Sequence, residues 1–155
     1  LREARDKPQF AGLMHVLHFE LVRQERFREA IALLQTQIKA DPSDVHSQIQ
    51  LAQDFLYYLR DVASAAHQAQ VAHNVAVEHG RLVRHALGVR ARVAKATNDY
   101  PLLAECMEQI LAVPASGPFD SLIETDFLSD LPDHALPAGL AVRYRHAAGK
   151  DRRTL

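Results

Sequence analysis

Apolar residues return every three or four positions along most of the chain, a spacing that predicts one helix after another. From Pro8, which suits a first helical turn, to about Gln24, the residues Phe10, Leu13, Met14, Leu17 and Leu21 share one face at about 100° per residue. After the polar run Arg23-Gln24-Glu25-Arg26, a second stripe holds Phe27, Ala30, Ile31, Leu34 and Ile38. It stops at Asp41-Pro42, because the residue before a proline is pushed out of the helical region. Ser43 or Asp44 then caps a third helix carrying Leu51, Ala52, Phe55 and Leu59. An alanine-rich fourth follows Arg60-Asp61 and ends near His79-Gly80, where glycine suits the left-handed residue after a helix. A fifth helix from Arg81 to about Ala96, a turn at Asn98-Asp99, and a sixth from Pro101 to just before Pro114 complete three antiparallel pairs. No stretch alternates apolar and polar positions between Gly or Asn-Gly turns, so the predicted class is all-α.

The pattern changes after Pro114. Ala115-Ser116-Gly117-Pro118 reads as a linker, followed by the acidic and apolar FDSLIETDFLSDLPDH. There Phe119, Leu122, Ile123 and Phe127 have helical spacing, among the charges Asp120, Glu124, Asp126 and Asp130. A further short helix is expected around Leu140 to Ala147. The chain therefore divides into a helical array, 1–114, and a C-terminal segment, 115–155. That segment either caps the last exposed apolar face or docks in a groove of its own chain or of a neighbour.

The helix pairs repeat. Residues 11–44 closely resemble a tetratricopeptide repeat. Met14, Leu17 and Leu21 stand where that family has Trp, Leu and Tyr; Phe27 takes the turn aromatic, Ala30 the small residue at the helix crossing, and Pro42 the terminating proline. A second register begins near Val45, with Leu51, Ala52 and Phe55, then Asp61, Val62 and Ala65. A third has Leu87, Ala91 and Ala94, then Asn98-Asp99-Tyr100 and Ala104. The second unit is longer than the family period and lacks the closing proline, and Arg90 stands where the third calls for Leu. The resemblance spans about residues 9–113. It implies a right-handed superhelix of stacked pairs with a concave surface lined by the first helix of each pair, and a role in protein–protein interaction.

On that register His15, Val16, Phe19, Val22 and Arg23 in the first unit face the groove, as do Ile49, Gln53, Leu56 and Tyr57 in the second. An apolar strip there is a candidate peptide site. Arg81, Arg84, His85, Arg92 and Lys95 fall in a narrow basic arc of the fifth helix. The expected partner is accordingly a protein or peptide of acidic-apolar character, with self-association or docking of the chain's own tail as further possibilities. His15, Phe19 and Gln50 lie at or near the positions where some family members clamp a terminal carboxylate, so binding of that kind is not implied.

Composition narrows the alternatives. The 155 residues are 48% hydrophobic and 24% charged, with six Gly and no Trp, as in an ordinary helical domain. A net charge of -1 offers no global attraction to nucleic acid or to an anionic membrane. No run of apolar residues is long enough to span a bilayer. The single cysteine, Cys106, among Leu102, Leu103, Met107 and Ile110, reads as a small buried hydrophobe and rules out an internal disulfide. No phosphate-cradling glycine loop, nucleophile elbow or H-E-x-x-H is present, so neither an enzymatic role nor a cofactor is expected. Of the nine histidines, His15 and His18 lie three apart on one helix and define the alternative, a small-ligand or metal-binding accessory domain using the His-rich helices. A cytoplasmic location is expected, although the chain opens at Leu1, which leaves room for a targeting or anchoring segment ahead of it.

Overall fold

The computed structural model describes residues 8–115, 117, 120 and 123–153, and over these the protein is all-helical. Seven α-helices follow in order: α1 (Pro8–Arg23), α2 (Phe27–Ala40), α3 (Val45–Tyr57), α4 (Val62–His79), α5 (Val83–Ala96), α6 (Tyr100–Ala112) and α7 (Leu140–Arg153). A 3-10 turn, Asp126–Leu128, lies in the segment between α6 and α7. Connections of three or four residues join α1 through α6, so consecutive helices double back on one another. Each packs on its neighbours in sequence, and α3 also touches α5. No described helix is long and apolar enough to cross a membrane.

Three of these turns share one construction. Between α1 and α2, α3 and α4, and α5 and α6, a left-handed residue (Glu25, Arg60 and Asn98, φ 54–59°) immediately precedes the helix-capping residue. That residue's N–H then closes back on a carbonyl of the helix just ended: Arg26 on Leu21, Asp61 on Phe55, Asp99 on Ala94. Asp44, Asp61 and Asp99 cap α3, α4 and α6 by accepting from the backbone N–H groups of Ser47, Ser64 and Leu102. Asp44, rather than Ser43, is thus the cap of α3. At Gly80 the chain takes φ 61° after α4, as expected of a glycine there. α5 starts two residues later than its pattern suggested, at Val83.

The core follows the array. Ala65, Ala69, Ala72 and Ala76 form a fully buried stripe along α4, and side chains this small let α3 and α5 come close on either side. Ile31 and Leu34 of α2 pack on Leu51 of α3, and Phe27 stacks on Tyr58 with ring centroids 4.6 Å apart. The largest cluster joins Leu87 and Ala91 of α5 and Leu103, Cys106, Met107 and Ile110 of α6 to Ile123, Phe127, Leu128, Leu140 and Tyr144 of the C-terminal segment.

Two expectations are corrected here. Residues 123–139 carry no α-helix despite the helical spacing of Ile123 and Phe127; the segment is held by tertiary contacts instead. On α1, Leu21 is buried, but Leu13 and Leu17 are 62% and 43% exposed, because α2 and α3 lie against a face rotated toward His18. The side chain of Phe10, together with Phe119 and Leu122, lies outside the described residues.

Candidate functional site

The first helix of each pair, α1, α3 and α5, supplies the candidate surface. At its α1 end, Phe19 is 65% exposed and Val22 half-buried, and His15 lies against His46 of α3 with ring centroids 5.5 Å apart. Arg23 is exposed and engaged by Glu20, two hydrogen bonds drawing its guanidinium along α1. Those bonds, with one from Gln24, hold the Glu20 carboxyl down at about 2. In the middle, Tyr57 is 46% exposed, its phenol pKa raised by partial burial. Gln53 meets His85, Glu124 and Tyr144 in a small cleft.

Ile49 and Leu56 do not reach this surface. They are 1% and 8% exposed in the core between α3 and α4, because the face of α3 that carries them is the one covered by the alanine stripe. The expectation that they line the groove is therefore corrected.

The basic arc of α5 is engaged by the chain itself. Arg92 Nη1 donates to Asp126 Oδ2 at 2.7 Å, and its other terminal nitrogen to Glu124; the guanidinium carbon lies 5.7 Å from the centre of the Phe127 ring. Burial opposes the charge on Arg92, but the hydrogen bonds to Asp126 and Glu124 outweigh it and raise its pKa. Lys95 donates to the Ser129 carbonyl at 2.6 Å, and Arg84 Nε to that of Val113 at 2.6 Å. Asp120, 1% exposed, accepts from the backbone N–H of His85. The acidic-apolar segment thus does two things at once. Ile123, Phe127 and Leu128 cap the α5–α6 core, while Glu124 and Asp126 lie over Arg92 at the end of the surface.

His15 and His18 do not converge. His18 is buried, with Nε2 2.6 Å from Oδ2 of Asp54, itself fully buried and also accepting from Gln50. Among the described residues no group of three His, Cys, Asp or Glu side chains is placed to hold a metal ion. Sequence reasoning missed His46, Asp54 and Tyr144, and named Asp120 only as one of the charges of the acidic segment. Asp54 lies 36 residues from His18 and Asp120 35 from His85, so no local spacing signals either contact.

No family model, curated protein or solved structure matches the chain. The functional reading therefore rests on geometry and chemistry alone.

Proposed function

We propose that the protein is a tetratricopeptide-like interaction scaffold that binds an acidic-apolar peptide or partner helix across the surface formed by α1, α3 and α5. The observation that carries this is the seating of residues 123–129 at Arg92. This largely irregular stretch uses exposed carboxylates toward the guanidinium and aromatic and aliphatic side chains against the helices. The chain's own segment thus serves as a template for the kind of ligand this face accepts. The recurring left-handed turn at Glu25, Arg60 and Asn98 supports the repeat reading, as does the contact between α3 and α5.

Beyond the tail, the surface continues to His15, Phe19, His46 and Tyr57, where aromatic and imidazole rings remain accessible. An incoming peptide would place apolar side chains against Phe19 and Tyr57. Affinity capture with the full chain tests this. Partners retained by the parent protein should be lost with Phe19→Ala combined with Tyr57→Ala, while the helix content of the variant is unchanged. An identical set of partners with both rings removed would reject the groove.

A further inference from the structure

Gly88 lies inside α5 without a backbone reason to be glycine. Of the described glycines, Gly80 and Gly139 have positive φ and Gly88 does not. A methyl group added at Gly88 would meet nothing within 4 Å, so no neighbouring helix demands the missing side chain either. Glycine inside a helix is less stable than alanine, and here no contact within the chain offsets that. The space it leaves open is the cleft where α3, α5 and the C-terminal segment meet on the candidate surface. Val89, Ile110 and Ile123, all buried, form its apolar part. Its volume to the mouth is about 340 Å³, and the enclosed part has room for about one water-sized group.

Three polar side chains line this space with their hydrogen-bonding capacity unused. Tyr144 is 1% exposed, and its hydroxyl makes no hydrogen bond among the described residues, although it feels the charges of Arg84, Arg92 and Glu124 at the cleft. The Gln53 amide and the His85 ring likewise have no hydrogen-bond partner among the described residues. Burial lowers the pKa of His85 and raises that of Tyr144, so both are uncharged at neutral pH. All three groups can therefore both donate and accept. The charges beside them are already engaged, Arg92 by Glu124 and Asp126, and Arg84 by the Val113 carbonyl. A carboxylate or ammonium entering the enclosed part would lose its hydration with no unpaired opposite charge to meet it. An aliphatic end would leave the three polar groups unmet. A primary carboxamide is neutral, small, and offers donors and an acceptor at once.

We propose that this cleft is a subsite of the interaction surface that receives the carboxamide end of a partner's asparagine or glutamine side chain, over Gly88 and among Gln53, His85 and Tyr144. The source of that side chain rests on the interaction reading of α1, α3 and α5, whereas the chemistry of the cleft does not. The subsite adds one neutral, selective position to a partner otherwise acidic and apolar, whose carboxylates stay outside the cleft as those of Glu124 and Asp126 do. Discrimination comes from the polar groups that a wrong side chain would leave unpaired.

Propionamide, the end of a glutamine side chain as a free molecule, is the probe. Titrated into the isotope-labelled full chain, it should shift the Gln53 side-chain amide and the Gly88 amide resonances saturably, with a dissociation constant on the order of millimolar. Propionate should bind at least about tenfold more weakly at neutral pH. Gly88→Ala should abolish the shift at Gln53 by filling the space, yet raise the unfolding midpoint by about 1–4 °C, which separates closure of the cleft from damage to the fold. Tyr144→Phe should weaken binding at least about threefold and leave the midpoint unchanged, since the hydroxyl has no partner in the described chain. No saturable shift up to about 100 mM propionamide would overturn the proposal. So would equal binding of propionate, or a Gly88→Ala chain that still binds or is less stable. The two readings fail separately. Capture unaffected by Phe19→Ala with Tyr57→Ala rejects the groove and leaves the cleft a carboxamide site, whereas partners lost in that variant without propionamide binding reject the subsite alone.

Discussion

His18 and Asp54 meet at 2.6 Å between the first two helix pairs, and both are removed from water. Deleting one partner leaves a buried atom of the other, His18 Nε2 or Asp54 Oδ2, without its hydrogen bond, which costs about 1–3 kcal/mol even though Gln50 still donates to Asp54 Oδ1. His18→Ala and Asp54→Ala should each destabilise by that order, and the double variant by less than their sum, as a denaturant-melt cycle will show. Neither role was legible in the sequence. His18 drew notice through its spacing from His15, whereas a carboxylate 36 residues away on α3 leaves no periodic signature. Three other imidazoles make stability depend on pH. Burial lowers the folded-state pKa of His46, His73 and His85 below the ordinary 6.5, and the neighbouring His15 lowers that of His46 further. The unfolded chain therefore takes up protons first as pH falls. Stability should be highest above 6.5 and decline between 6.5 and the folded-state values. Unfolding midpoints measured across that window should fall with acidification, and His85→Asn should flatten the decline.

Among the elements, α5 depends most on a distant part of the chain. Its capping position is Leu82, left-handed at φ 55° and without a side-chain cap hydrogen bond, and its third N–H, that of His85, is met by Asp120. Asp120→Ala should cost about 1 kcal/mol, as loss of an N-cap does, and should speed amide exchange at His85 more than at the middle of α5. The first six helices were legible because apolar spacing and the breakers at Pro42 and Gly80 mark their boundaries to within about two residues, and α3, α4 and α6 have Asp caps besides. The segment after α6 was not. Ile123 and Phe127 are spaced as on a helix, yet the pull of the α5–α6 core on these two side chains decides their placement, and periodicity cannot register that. The candidate surface was legible only in part, because Ile49 and Leu56 share α3 with Gln53 and Tyr57 and differ from them only in which neighbour covers them.

Across the array as a unit, the relative size of two effects decides how the C-terminal segment is held. The pairs from Arg92 to Glu124 and Asp126 involve carboxylates that are 56% and 72% exposed, where screening leaves each at about 0–1 kcal/mol. Burying Phe127 contributes about 2 kcal/mol or more, and Ile123 and Leu128 add to it. High salt should therefore leave the segment in place, whereas Phe127→Ala should destabilise the protein by about 3–5 kcal/mol within one unfolding transition. Removing residues 116–155 would bare Leu103, Met107 and Ile110, so the shortened chain should aggregate or lose cooperative unfolding, seen by scattering and circular dichroism. The same burial gives the protein an internal clock. Cys106 lies in that cluster with its thiol pushed up to about 11 by desolvation, so it is almost wholly un-ionised at neutral pH and shielded from reagents. Its rate of alkylation in the native chain counts how often the C-terminal segment lifts away, and Phe127→Ala should make it run faster.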